Sequence, residues 1–354
     1  MSLTKDRRER VKKYLCEKID ARSKDYVKQV CATFDLSSTS VYRYLKELVD
    51  ENVLEKTDDE IPYRLKTERF KFSFFPKKER LEETRVYRIV RDSFPEVSQQ
   101  AKYCWDYVFA EIMNNAIDHA DAETIVCEIE RNRLYTRVLI GDDGVGIFRN
   151  IQRFFKEERN ETLDLQDAVV VLFSGKFTTN SKSHAGEGIF FSSQIADEFY
   201  IYSDDLLFTR NSCDLNEGKT FEYRRDDVLL KTVVVMKIAN DSRKETSKIF
   251  DKYTEMDENG VYNFDKTSVP LANMIVDGYP IARSQARRVA TNFLKFRKVI
   301  VDFKGVREIG QAFAHELFVV FARENPKIRL EYVGANAFVK RMIERIIADA
   351  ANDA

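Results

Sequence analysis

Residues 105–120, WDYVFAEIMNNAIDHA, constrain the fold of this chain more than any other stretch. Trp105, Val108, Phe109, Ile112, Met113, Ala116, Ile117 and Ala120 recur at steps of three and four, the period of a single buried helix face. Glu111, Asn115 and Asp118, at i, i+4 and i+7, then line up on another face. Taken alone, that polarity is what any solvated helix face carries. Two glycine motifs change its weight. In LIGDDGVGI an apolar strand ends at Asp142 and turns through Gly144 and Gly146, which presents a carboxylate where backbone can approach a ligand. In SHAGEGIFFSSQIADEF, Gly186 and Gly188 stand just before a helix, where free amides and the helix dipole favour phosphate. Either loop is common by itself; both, in this order after this helix, are hard to obtain by chance.

At 354 residues the chain exceeds one ordinary core and suits two or three domains of roughly 100 to 150 residues. With 44% hydrophobic and 33% charged residues it is expected to be folded and soluble, and its net charge of −1 points to no partner. Residues 1–50 depart from that balance, with twelve Lys/Arg against eight Asp/Glu. Cys16, Cys31, Cys104, Cys127 and Cys213 lie far apart without a C-x-x-C pair, which implies neither a zinc knuckle nor a disulfide framework. The start MSLTKDRRERVKKYL lacks an apolar core of signal-peptide length, and no stretch approaches the ~18 consecutive apolar residues of a spanning helix. A cytoplasmic protein with no membrane partner is the expectation.

Residues 5–54 show three helical periods: Val11, Tyr14, Leu15 and Ile19; Tyr26, Val27 and Val30; Val41, Leu45, Leu48 and Val49. Ser38 or Ser40 can cap the third helix, and NVLEKTDDEIPYRLK reads as two short strands around an acidic turn. Over about sixty residues, centred on LSSTSVYRYLKELVDENVLEK, this arrangement resembles the recognition helix and wing of bacterial winged helix-turn-helix regulators. The resemblance implies double-stranded DNA as a partner, contacted by Thr39, Ser40, Tyr42, Arg43 and Lys46, while Leu45 and Leu48 face inward. Glu47 dilutes the charge of this helix, so a winged helix that docks a protein is the alternative.

From Phe70 to about Asp241, helices and strands alternate as in an α/β sandwich, with strands expected at RFKFSFF, TIVCEIER, LYTRVLIGDD, EFYIYSD, TFEYRR and TVVVMKIA. Residues 68–241 resemble the GHKL (Bergerat, or HATPase) fold of gyrase, MutL, histidine kinases and anti-sigma-factor kinases. Four parts carry the resemblance: Glu111, Asn115 and Asp118 on the E-x-x-x-N-A-x-D-H-A helix; Asp142, Gly144 and Gly146; Gly186 and Gly188; and Gly218 with Thr220 before a strand. It implies ATP and Mg²⁺ as cofactors. Asn115 offers a carbonyl oxygen to the metal, which prefers hard ligands. Asp142 accepts the adenine amino group, with Thr220 in support. SGKFTTNSKSHAGEG covers the triphosphate, with Lys176 and Lys182 as candidate phosphate contacts. Glu111 is the implied general base. Histidine autokinase activity is disfavoured because only His119, His184 and His315 exist and none lies on a preceding dimerising helix; His119 reads as a helix-end residue.

After the polar stretch NDSRKETSKIFDKYTEMDENG, a final unit from Val261 alternates strand and helix: KVIVDFKGV, GQAFAHELFVVFAREN, KIRLEYVGA and AFVKRMIERIIADA. It resembles the STAS-like domains related to anti-anti-sigma factors, which implies a protein partner. Where phosphorylatable members carry a Ser at the strand-to-helix junction, this chain has Gly310, Gln311 and Ala312; Ser284 reads as the cap of an earlier helix.

The expected architecture is multidomain α+β: a winged helix-turn-helix at 1–66, a GHKL α/β sandwich at 67–242, a linker at 243–260 and a STAS-like α/β domain at 261–354. The expected function is a slow Mg-dependent ATPase that couples nucleotide state to DNA binding and partner docking, in transcriptional or stress and defence regulation. Two alternatives stay open: a Ser/Thr protein kinase acting on a separate antagonist, and an ATP sensor that consumes nothing. The oligomer is open as well, a homodimer being one option.

Overall fold

The computed structural model describes residues 4–173, 187–209, 212–215, 223–225, 227–256, 262–263, 265–273, 279–290 and 293–352. The chain begins with α1 (Lys5–Asp20), α2 (Tyr26–Phe34) and α3 (Ser38–Asp50), followed by an antiparallel hairpin of β1 (Leu54–Lys56) and β2 (Tyr63–Leu65). Val11, Leu15, Ile19, Val30, Val41, Leu45, Leu48, Leu54 and Leu65 close into one core of their own. The cap of α3 is Ser37, not Ser38 or Ser40: its backbone is still extended, as a capping residue requires, and its Oγ accepts from the Ser40 amide at 3.2 Å. Leu134, from the middle of the chain, packs into this core, Arg133 pairs with Glu9 at 2.7 Å, and Lys13 pairs with Asp241. The N-terminal unit is thus seated on its neighbour through α1.

The middle of the chain is built on one antiparallel sheet of seven strands. In chain order these are β3 (Glu68–Phe74), β4 (Ile125–Arg131), β5 (Tyr135–Asp142), β6 (Glu198–Ser203), β7 (Leu206–Thr209), β8 (Ser212–Leu215) and, after a separate hairpin of β9 (Tyr223–Arg225) and β10 (Val228–Leu230), β11 (Thr232–Ala239). Their order across the sheet is β3-β4-β5-β11-β6-β7-β8. Both faces are covered, which is why VLI in β5 and VVVM in β11 are unbroken apolar runs. Val138, Ile140, Val234 and Met236 join the main core, while Leu139, Val233 and Val235 pack with Leu230 on the opposite side.

The helices of this unit are α4 (Glu83–Val90), α5 (Gln99–Asp118), α6 (Ile147–Arg159), α7 (Leu165–Phe173), α8 (Gly188–Ile195) and α9 (Thr246–Asp251). The apolar stripe of α5 is buried as the spacing predicts, from Trp105 to Ala116, against β5, β11 and α8. α4 begins at Glu83, and the preceding KKERLE lies outside it. α9 falls in the polar stretch expected to link two units. Its Phe250 ring lies 4.6 Å from Phe191 and 5.2 Å from Tyr107, and Tyr253 lies 4.9 Å from Phe190. Two aromatics are enough to seat it, too few to give a sequence period.

The last unit opens with the short pair β12 (Glu255–Met256) and β13 (Tyr262–Asn263). A parallel sheet follows, with β15 (Lys298–Asp302) between β14 (Lys266–Pro270) and β16 (Arg329–Val333). Parallel neighbours require crossovers. The first holds α10 (Arg283–Ala290); the second runs from α11 (Gln311–His315) through a π-helical stretch, Glu316–Phe321, into α12 (Ala322–Glu324). α13 (Ala337–Asn352) closes the fold, and the buried core of this unit is continuous with that of the middle one. No helix among the described residues is long and apolar enough to cross a membrane.

Candidate functional site

Helix α5 is the spine to which the glycine motifs attach. At its middle, a Cβ placed on Gly188 would lie 2.1 Å from Glu111 Oε2, so the first turn of α8 rests directly on that carboxylate. At its C-terminal end, a Cβ on Gly144 would lie 2.0 Å from the Ala120 carbonyl oxygen, and the Val145 amide donates to that oxygen at 2.9 Å. Only glycine lets backbone come so close. Gly146 adopts φ +82° and stands against Asp204, whose carboxylate accepts from the Phe148 and Arg149 amides at 2.9 and 3.0 Å and caps α6.

Asp142 ends β5 at 4% exposure, with Oδ1 accepting from the Gly144 amide at 3.0 Å. Burial pushes its carboxyl up to about 7; the Gly144 amide opposes this, while Asp143 and Asp204 add to it. Thr232, the first residue of β11, stands in register with Asp142 and also with Ser203 of β6, and the two hydroxyl oxygens are 3.2 Å apart. The motifs do not include Thr232. The signal was the strand TVVVMKIA itself, whose first residue carries a hydroxyl, but only strand pairing puts it beside Asp142.

Asn115 is half-buried on α5, one turn from Glu111, and its Nδ2 is buried with no hydrogen-bond partner among the described residues. Asp118 is exposed near the end of the helix, and His119 is its C-cap. Burial raises the Tyr107 hydroxyl far above the usual range, and the carboxylates of Glu111 and Glu187 push it further. Glu187, the N-cap of α8, thus stands near the same Tyr107 hydroxyl as Glu111. Among the described residues, no group of three or more His, Cys, Asp or Glu side chains is placed to hold a metal ion. Lys176, Lys182, His184, Gly186, Gly218 and Thr220 lie outside the described residues.

On α3, Thr39, Tyr42, Arg43 and Lys46 are exposed and Ser40 is half-buried, its hydroxyl 3.0 Å from that of Ser37; Leu45 and Leu48 are buried. Glu47 lies 3.9 Å from Arg43 on this face and is also held from α1. Arg8 and Lys12 of α1 each reach its carboxylate at 3.1 Å, and although burial alone raises it, those hydrogen bonds hold it below the usual carboxylate range. The hairpin turn is likewise engaged: Arg22 holds Asp59 at 3.1 Å and Lys24 holds Glu60 at 2.6 Å.

In the last unit, Gly310 is the N-cap of α11, and a Cβ there would lie 2.6 Å from the Ile281 carbonyl oxygen. Gln311 and Ala312 follow, so the strand-to-helix junction carries no hydroxyl. Ser284 does not cap α10: it lies inside the helix and is exposed, and Gln285 instead accepts from the Ile281 and Ala282 amides at 2.9 Å each. A glutamine at the third helical position can reach back to free amides in this way, whereas a serine inside the first turn cannot.

β15 and β16, with the helical crossover between them, fall within a STAS-like match. Residues 285–340, from α10 into α13, match the family described as STAS-like domain of unknown function (DUF4325). No curated protein matches the chain.

Proposed function

We propose that this protein binds ATP with Mg²⁺ in its middle unit, through a GHKL-type site, and couples nucleotide state to an N-terminal winged helix that reads duplex DNA and to a STAS-like unit that docks a protein partner. One observation carries the reading: α5 holds Glu111 against Gly188, and just past its end Ala120 stands against Gly144, with the buried Asp142 at the start of the same turn. Such a constellation offers one fixed acceptor, for an exocyclic amino group, and two close backbone approaches. Thr232 backs the acceptor.

The Asn115 amide has a buried Nδ2 with no partner among the described residues, a donor that a phosphate oxygen would satisfy. Its carbonyl oxygen suits one position of a Mg²⁺ shell completed by water and phosphate oxygens, which needs no carboxylate cluster. When bound, the ion neutralises phosphate charge. Glu111 would serve as the general base, taking the proton of a water molecule whose oxygen would bond to the γ-phosphorus as the bond from that phosphorus to the β–γ bridging oxygen breaks. Phosphate release in solution marks hydrolysis, label transfer to a second protein marks the kinase alternative, and neither marks a sensor.

The test is calorimetry of the full chain with Mg·ATP, beside Mg·GTP and ATP in chelator. Binding confined to Mg·ATP is expected, and Asn115→Ala should weaken it more than tenfold, about 1.4 kcal/mol. Equal affinity for GTP, or an unchanged Asn115→Ala variant, overturns the assignment.

For the N-terminal unit, the exposed Tyr42, Arg43 and Lys46 support the DNA reading, with Glu47 shared between Arg43 at 3.9 Å and the α1 cations Arg8 and Lys12 at 3.1 Å each. Arg43→Ala with Lys46→Ala should reduce the slope of log K against log salt by about 2, one for each phosphate that no longer meets a cation. An unchanged slope in fluorescence titrations would assign the helix to protein docking.

A further inference from the structure

Arg288 of α10 reaches out of the STAS-like unit to the start of α7, with Nε 3.1 Å from Asp167 and Nη1 3.4 Å from Asp164. Those two carboxylates are the cap of α7. The Asp167 amide donates to Asp164 Oδ1 at 2.7 Å, the Asp164 amide donates to Asp167 Oδ2 at 3.0 Å, and the Asp164 carbonyl accepts from Ala168. This reciprocal arrangement satisfies amides that a helix start leaves open. The Asp167 side chain is only 7% exposed, so the guanidinium neutralises a charge that water scarcely reaches. α7 in turn packs on α8, and Val169, Val170, Ile189 and Phe190 share one core. The first residue of α8 is Gly188, which rests on Glu111.

We propose that Arg288 is a positioning residue for the middle unit's site: through it the STAS-like unit fixes α7, and through α7 it fixes the turn of α8 that sits on Glu111. The identity of the ligand rests on the ATP reading above; the mechanical link does not. Whatever binds the STAS-like unit and draws Arg288 away changes ligand affinity in the middle unit, and ligand binding changes that docking by the same factor. The neighbouring Arg287 pairs with Glu316 of its own unit at 2.6 Å and serves as the comparison.

Arg288→Gln, Arg288→Lys and Arg287→Gln are compared in the full chain by amide hydrogen exchange and by calorimetry with Mg·ATP. Arg288→Gln should exchange at least tenfold faster over residues 165–173 and 188–192 and bind Mg·ATP at least fivefold more weakly. Arg288→Lys, which keeps the charge without the fork, should fall between it and wild type; it carries the comparison if the glutamine variant fails to fold. Arg287→Gln should leave α7, α8 and affinity within twofold of wild type. The proposal is overturned if a folded Arg288→Gln protein matches wild type in both measurements, or if Arg287→Gln loosens α7 equally. Wild-type protein that binds no Mg·ATP would refute the ATP reading alone, with exchange still deciding the link.

Discussion

Asp142→Asn should make the protein more stable at pH 8 while lowering its affinity for Mg·ATP more than tenfold. The Asp142 carboxyl sits at about 7 when folded against an ordinary value of 3.8, with burial as the chief cause. The folded state therefore binds the extra proton between pH 4 and 7, and stability falls as pH rises through that window. Above 7 the full cost of a buried charge is present. Asparagine removes the charge and keeps an acceptor for the Gly144 amide, so the gain at pH 8 should be roughly 2 kcal/mol or more, and it should shrink towards zero near pH 4. The adenine amino group would meet an amide in place of a carboxylate, and an amide that turns its oxygen to Gly144 presents its own N–H₂ to the ligand. Thermal melts at pH 5 and pH 8, with calorimetry at pH 8, measure both effects. A variant that melts below wild type at pH 8, or binds Mg·ATP as well, would remove Asp142 from this role.

Gly144→Ala and Gly188→Ala should fail in different ways. At Gly144 the new methyl would meet the Ala120 carbonyl, a backbone atom just past the end of α5 that cannot step aside without moving the helix end or the turn. A loss of about 2–3 kcal/mol is expected, with ligand binding lost as the turn shifts. At Gly188 the methyl would lie 2.1 Å from Glu111 Oε2 but 3.2 Å from Glu111 Cβ, so a flexible carboxylate can swing away. The fold should survive, and phosphate release should drop about 10²-fold, as in Glu111→Gln, because a displaced base acts as an absent one. Chemical denaturation and a phosphate assay on both variants separate the two outcomes. A Gly188→Ala protein with wild-type turnover would show that Glu111 is not the base.

The sequence alone determined the elements whose period is long and regular. The stripe from Trp105 to Ala116 is the buried face of α5; the apolar runs ending at Asp142 and beginning at Thr232 are strands; the Val-rich KVIVD is the central strand β15, with Val299 and Val301 fully buried. The motif glycines at 144 and 146 were legible for the same local reason, since a close approach or a positive φ restricts the residue at that one position. Partnerships across the chain were decided only by tertiary structure. Thr232 lies beside Asp142 because antiparallel pairing of β5 and β11 aligns residues ninety positions apart. Glu47 is neutralised because α1 folds across α3, and Phe250 packs on Phe191 and Tyr107 because α5 and α8 leave room for it. Arg288 meets the cap of α7 because the parallel crossover of the last unit brings α10 against the middle one. Sequence period records which face of an element is apolar; which element will cover that face, and which charges then meet, depends on packing among residues far apart in the chain.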